Sequence, residues 1–195
     1  MQPPDWRPQA DRAALQARAG LYAGLRRFFT DAGVMEVETP LASRAGLTDP
    51  ALESWRTAWS APAGVEPLWL QTSPELPMKR LLAAGSGPIY QICKVFRDGE
   101  RGRRHHPEFS LLEWYRPGWG LEQLMAEVAD LVRGALGQPE RPVEVLAYRD
   151  LFRSRLGLDP FQDQTAEFRA RAQAIIAGAE DLDLGRDGWL DLLLT

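Results

Sequence analysis

An arginine closing an apolar run, an aromatic ring a dozen residues on and a carboxylate beyond it stand in the segment VFRDGERGRRHHPEFSLLEWYRP, Val95 to Pro117. Its loop holds Arg97, Arg101, Arg103 and Arg104 and both histidines of the chain, His105 and His106. If the flanking runs pair as a hairpin, the turn gathers these charges at one end of a sheet, where a polyanion would sit. An arginine held on a strand donates two parallel, charge-assisted hydrogen bonds to a phosphate or carboxylate, each worth roughly 1.5–3 kcal/mol when desolvated. Strand alternation puts Gln91, Cys93, Val95 and Arg97 on one face of the first run, and Phe109, Leu111, Glu113 and Tyr115 on one face of the second. Where those faces coincide, Arg97, Phe109, Glu113 and Tyr115 converge. Phe109 then offers a flat surface for a base, although a strand phenylalanine more often fills a core. Glu113 is a carboxylate in an apolar row and needs a cation or donor, which a substrate ammonium or Arg97 supplies. Arg101, Arg103 and Arg104 read as solvated turn charge. The adjacent histidines point to opposite faces and have no third histidine to join, so they do not read as a metal site.

The elements that must position this loop carry their own signals. Asp11 is placed to cap a helix with Leu15, Ala19, Tyr22, Leu25, Phe28 and Phe29 at helical spacing, stopping before Gly33. Arg12, Arg18, Arg26 and Arg27 fall on its polar side. VMEVETP alternates through Val34, Glu36 and Glu38, a short strand ending at Pro40. Residues 42–50 read as a loop, 52–59 as a strand, 62–67 as a Pro/Gly turn and LWLQ as another strand. In TSPELPMKRLLAAGSG, Ser73 caps a helix, Pro74 suits its first turn, Glu75 faces the positive end of the dipole and Gly85 ends it. Glu75 therefore has a purely structural explanation beside a ligand-binding one. GLEQLMAEVADLVRGALG spaces Leu121, Leu124, Val128 and Leu131 for a helix packed on the sheet and closing at Gly137. Shorter helices are expected at 148–156, after Thr165 and from Asp187. The last is still in apolar register at Thr195 with nothing to finish it, so the chain is expected to be cut within a larger domain.

Bulk properties narrow the setting. With 195 residues, 45% of them hydrophobic, the chain suits one domain of ordinary size or part of a larger one. Its net charge of −4 excludes a broadly basic surface, so phosphate binding must be local. One cysteine, Cys93 in an apolar run, excludes a disulfide framework and reads as a buried reduced thiol. The start, MQPPDWRPQAD, does not read as a signal peptide and no run is long enough to span a bilayer, so the cytoplasm is the expected location and no membrane a partner.

Three segments together resemble class II aminoacyl-tRNA synthetases of the lysine branch, over roughly Ala13 to Leu136. GVMEVETPL, Gly33 to Leu41, looks like their motif 1, FRDGERGRRHHPEFSLLEWY like their motif 2, and TSPELPMKRLL like the lysine-branch segment T-S-P-E-x-x-M-K-R-L. Within that branch the chain is most similar to short paralogues that attach (R)-β-lysine to a lysine side chain of elongation factor P. The ending PEFSLLEWYRP favours these, as does a motif 1 so early that no anticodon-binding OB domain is expected before it. The resemblance implies an α+β fold, an antiparallel sheet flanked by helices, with residues 1–195 forming the N-terminal part of a catalytic domain that stops before motif 3. It also implies that ATP and lysine or (R)-β-lysine react to an acyl-adenylate, which passes to elongation factor P, with tRNA not expected as acceptor.

In that reading Arg97 is catalytic, bridging the α-phosphate and the substrate carboxylate. Asp98, Gly99, Glu100, His106 and Phe109 join Arg97 in binding ATP, and Ser73, Pro74, Glu75, Glu113 and Tyr115 receive the amino acid. Magnesium ligands are implied only after this chain, and a homodimer through residues 13–32 and 34–38. The chain departs from the family twice. The usual F-R-x-E is Phe96-Arg97-Asp98-Gly99, with Glu100 one place later, and the usual H-N-P-E-F has His106 in place of Asn. Either Glu100 substitutes, or that adenine contact is lost. A lysyl-tRNA synthetase-like domain acting on tRNA and a non-catalytic remnant are the alternative functions.

Overall fold

In chain order the elements are α1 Arg12–Asp31, β1 Met35–Glu36, β2 Ala42–Ser43, β3 Arg56–Ala61, β4 Gly64–Leu70, α2 Glu75–Ala83, β5 Ile89–Phe96, β6 Glu108–Tyr115, α3 Leu121–Leu136, α4 Tyr148–Leu156, α5 Thr165–Ile175 and α6 Arg186–Leu194. This computed structural model describes residues 7–103 and 105–194. The chain divides into two units, Met1–Arg141 and Pro142–Thr195.

In the first unit α1 starts as expected, with Asp11 Oδ1 accepting from the Ala14 amide at 2.7 Å. The main sheet has the order β1-β5-β6, with β1 parallel and β6 antiparallel to β5. The strand expected over Val34 to Glu38 keeps only two ladder residues, extended by a bond from the Val37 amide to the Tyr90 carbonyl at 2.8 Å. Across the β5/β6 ladder Gln91 faces Glu113, Cys93 faces Leu111 and Val95 faces Phe109. Residues directly opposite share a face, so the two predicted faces do coincide. The other face sends Tyr90, Ile92, Leu112 and Trp114 into a core with Phe29 and Val34 and with Leu131 of α3. Phe29 and Tyr90 stack with centroids 4.5 Å apart. Burial, and then the bond that the Tyr90 hydroxyl donates to Glu36 at 2.9 Å, push the pKa of that hydroxyl up to about 12.

Helix α3 differs from its expected packing. Leu131 is buried, but Leu121, Leu124 and Val128 are exposed, and the other side chain turned inward is Glu127. Hydrophobic spacing marked an amphipathic helix without saying which residues meet the sheet. Glu127 accepts from Trp114 Nε1 at 2.8 Å and from Arg116 Nε at 2.8 Å, and Arg116 Nη2 reaches the same carboxylate. Arg116 Nη1 also donates to the Ala32 carbonyl just past α1, at 3.2 Å. One ion pair, its side chains only 7% and 6% exposed, thus joins β6, α3 and the end of α1.

A second sheet, of order β2-β4-β3, lies in the same unit. Residues 42–50, read as a loop, contain the short β2. The turn placed at 62–67 shrinks to Pro62 and Ala63, because Ala61 already pairs with Gly64. Pro67 lies in β4 outside the two residues, Trp69 and Leu70, that pair with β2, so no β2 strand faces it on that side. Helix α2 begins at Glu75, one turn position later than a Ser73 cap implies. Pro74 occupies the cap position, and Ser73 Oγ only approaches the Glu75 amide at 3.5 Å.

In the second unit, α5 and α6 enclose Phe168, Ala172, Ala179 and Trp189, and α4 ends on Gly157 in the left-handed region. All three helices expected here form. Among the described residues no helix is long and apolar enough to cross a membrane.

Breaking a buried pair strands one charge without a partner. Glu127→Ala should therefore lower unfolding free energy by about 3–5 kcal/mol in chemical denaturation. A loss under about 1 kcal/mol would mean that water screens the pair as it does on a surface.

Candidate functional site

Arg97 follows directly on β5, where its amide donates to the Pro107 carbonyl at 2.9 Å. Its guanidinium lies over the Phe109 ring, 4.9 Å from the centroid, and donates at 3.4 Å both to the Thr72 carbonyl and to Glu100 Oε1. Both hydrogen bonds are long, whereas a charge-assisted bond to an oxyanion settles near 2.7–2.9 Å, so an arriving anion would displace them. Arg97, Glu100, His106 and Phe109 line one cavity of about 440 Å³, joined by Arg18, Lys94 and His105.

Loop geometry follows from two ties and a glycine. The Asp98 amide donates to the Glu53 carbonyl at 2.9 Å, anchoring the loop base on the segment before β3. Gly102 and His105 exchange backbone bonds of 3.1 and 3.3 Å, closing the tip; Arg104 lies outside the described residues. Gly99 has φ +76°, and a Cβ there would meet nothing within 4 Å, so backbone conformation and not space selects glycine. That left-handed step returns Glu100 toward Arg97. Asp98, Gly99 and His106 are exposed, while Glu100 is half-buried.

The remaining candidates assemble around Glu113. Tyr115 donates its hydroxyl to Glu113 Oε1 at 2.6 Å. Burial, with the nearby Glu75 carboxylate adding to it, raises the Glu113 pKa, while Tyr115 and Lys79 oppose the rise. Burial and the Glu113 contact push the Tyr115 hydroxyl up as well. Glu75 stands in the first turn of α2, pairs with Lys79 at 2.6 Å and also acts on Glu113. Of the two cations considered for Glu113, Arg97 turns instead to Glu100. Ser73 and the buried Pro74 lead from Thr72, which Arg97 touches, into α2 and Glu75. Two groups thus form on connected backbone, one around Arg97 and Phe109, the other around Glu113, Tyr115 and Glu75.

Sequence reasoning missed Thr72 and Gln71 as members of this environment and placed Gln91 on its face without giving it a role. Gln71 Nε2 donates to the Lys94 carbonyl at 2.9 Å and to Cys93 Sγ at 3.3 Å, and Cys93 is half-buried rather than buried. Burial pushes the Cys93 thiol up. Gln91 Oε1 accepts from Thr39 at 3.0 Å. Among the described residues, Thr72 Oγ1, Gln71 Oε1 and Gln91 Nε2 are buried without a hydrogen-bond partner. The sequence signal for them was position alone, on the face of Arg97 or just ahead of Ser73. No group of three or more carboxylate, imidazole or thiol side chains converges as a metal site among the described residues.

Curated proteins similar to this chain include several elongation factor P–(R)-β-lysine ligases. The elongation factor P–(R)-β-lysine ligase of Pasteurella multocida is 47% identical over 194 residues, covering 98% of this chain and 59% of the relative. Those of Haemophilus influenzae strain PittGG and Erwinia tasmaniensis are also 47% identical, over 192 and 196 residues, each covering 97% of this chain and 58% or 59% of the relative. The chain thus spans less than two thirds of the length of the curated relatives it matches. A match running from residue 4 through both paired strands to residue 168 places this chain in the class II tRNA synthetases (D, K and N).

Proposed function

We propose that this chain is part of an ATP-dependent ligase that activates lysine or (R)-β-lysine and transfers it to a lysine side chain of elongation factor P. The observation that carries the reading is the β5/β6 register, which puts Phe109, beneath the Arg97 guanidinium, on the sheet face that also carries Glu113 and Tyr115. The similarity to elongation factor P–(R)-β-lysine ligases over 97–98% of the chain supports the acceptor.

The residues fit the two halves of the substrate set. Arg97 supplies a cation whose present hydrogen bonds are weak enough to yield to a phosphate, and Phe109 supplies a ring for the base. Glu100 and His106 line the same cavity, and Asp98 and Gly99 shape its loop. Glu100 takes the place of the family's earlier glutamate. Glu113, Tyr115 and Glu75 present two carboxylates and a hydroxyl, with Ser73 and Pro74 at the start of α2. Two carboxylates close enough that Glu75 raises the proton affinity of Glu113 suit a substrate with two ammonium groups.

In the first step a substrate carboxylate oxygen bonds to the α-phosphorus while the bond to pyrophosphate breaks. Arg97 stabilises the charge that builds on the α-phosphate oxygens. In the second step an amine of the acceptor bonds to the activated carbonyl carbon, the bond to AMP breaks and the amine gives up a proton. Magnesium accompanies ATP in such reactions by neutralising phosphate charge; no residue described here is assigned to it.

The family match crosses the boundary between the two units, so we take residues 1–195 as the N-terminal part of one catalytic domain acting in the cytoplasm. The exposed Leu15 and Leu21 on α1 and Met35 on β1 support a homodimer through these elements.

The full-length protein should exchange pyrophosphate into ATP in the presence of lysine or (R)-β-lysine and transfer the product to purified elongation factor P. Absence of exchange, or transfer to tRNA alone, overturns the proposal. Arg97→Ala should cut exchange by on the order of 100-fold or more with little change in melting temperature; near-normal exchange removes Arg97 from the chemistry.

Glu113 also predicts a pH dependence. Because its folded pKa lies above the ordinary 4.5, the folded chain binds more protons than the unfolded chain from pH 4.5 upward. Its contribution to stability is full below that value and is lost as pH rises through the folded pKa. Glu113→Gln should therefore gain stability relative to the parent as pH increases, measured by chemical denaturation across a pH series. A difference that is flat, or that slopes the other way, contradicts the raised pKa.

A further inference from the structure

Strand β6 carries both halves of the proposed site, and two ties join it to the helix layer. At the far end Glu127 of α3 holds Trp114 and Arg116. Near the loop Arg18 of α1 reaches across 92 positions of sequence to donate to Ser110 Oγ at 2.8 Å.

Arg18 is itself fixed. Its Nη2 also donates to the Tyr22 hydroxyl at 2.5 Å, and its guanidinium lies 5.0 Å from the centre of the Tyr22 ring, one turn on along α1. No carboxylate neutralises it among the described residues, whereas its neighbour Lys94, directly opposite Ser110 on β5, pairs with Glu108 at 3.0 Å. Ser110 and Phe109 are consecutive and point to opposite faces. Whatever fixes Ser110 against the helix layer therefore fixes the height of the Phe109 ring on the site face.

We propose that Arg18 is a positioning residue for the nucleotide half of the site, acting through Ser110 on Phe109. The proposal rests on the functional reading above and adds a division of labour to it. The Arg18 tie governs nucleotide binding, and the Glu127 tie governs the amino-acid end, where Glu113 and Tyr115 flank Trp114. Arg18 and Ser110 also line the cavity of Arg97 and Phe109, and the role proposed for them there is to set the ring.

The test uses the full-length protein and calorimetric titration with two probes, α,β-methylene-ATP and lysine. Arg18→Ala and Ser110→Ala should each weaken the nucleotide analogue by about tenfold and leave lysine within about twofold, a tenfold change being about 1.4 kcal/mol. Ser110→Thr, which keeps the hydroxyl, should retain the parent's affinity for both. Trp114→Phe, which removes one bond of the far tie, should weaken lysine and spare the analogue. A neutral Ser110→Ala beside a damaging Arg18→Ala would mean that the Arg18 charge acts directly, and would overturn the positioning role. Equal weakening of both probes by either Arg18→Ala or Ser110→Ala would also overturn it, as the mark of general destabilisation. If the parent binds neither probe, the functional reading fails and this inference with it; if the parent binds both and the variants do not discriminate, only the inference fails.

Discussion

Antiparallel pairing of β5 with β6 sets Val95 across from Phe109 and Gln91 across from Glu113, and a slip of one residue would send every one of those side chains to the helix-covered face. The slip is opposed by the other side of the same strands. Tyr90 is buried and Ile92, Leu112 and Trp114 are half-buried against Phe29 and Leu131, and exchanging them for Glu113 and Gln91 would set polar groups against an apolar core. The chemistry of one face is therefore held by the packing of the other.

The site face is not built for stability. Burial and the nearby Glu75 make ionised Glu113 costly, and buried polar atoms of Thr72, Gln71 and Gln91 lack partners among the described residues. Each such group costs about 1–3 kcal/mol. The compensation lies nearby, in stacked Phe29 and Tyr90 and in the Arg116–Glu127 pair, where three elements share two buried charges. A rigid, apolar helix layer behind an unsatisfied, polar sheet face is an arrangement suited to binding a charged substrate set.

Much of this was readable from residue order. The alternation of β5 and β6, the Asp11 cap, the Gly137 stop and the shared face of Arg97, Phe109, Glu113 and Tyr115 all follow from local rules, because each depends on neighbours within a few positions. The two-residue turn at Pro62 and Ala63 was less legible, since β4 pairs through backbone atoms that carry no hydrophobic pattern. The α3 stripe misled for a related reason: Glu127 belongs inside only because Arg116 and Trp114 meet it there.

Residue types and spacing alone were enough to establish the hairpin and the cluster of arginines at its end, while the family entered through the resemblance of three motifs. Folding in three dimensions settled which partners these groups take: Arg97 with Glu100 and Phe109, Glu113 with Tyr115, Arg18 with Ser110, and Glu127 with Arg116. Local periodicity tells a side chain which way to face. The choice of partner is made between elements far apart in the chain, where burial and charge act on groups that no short window of sequence brings together.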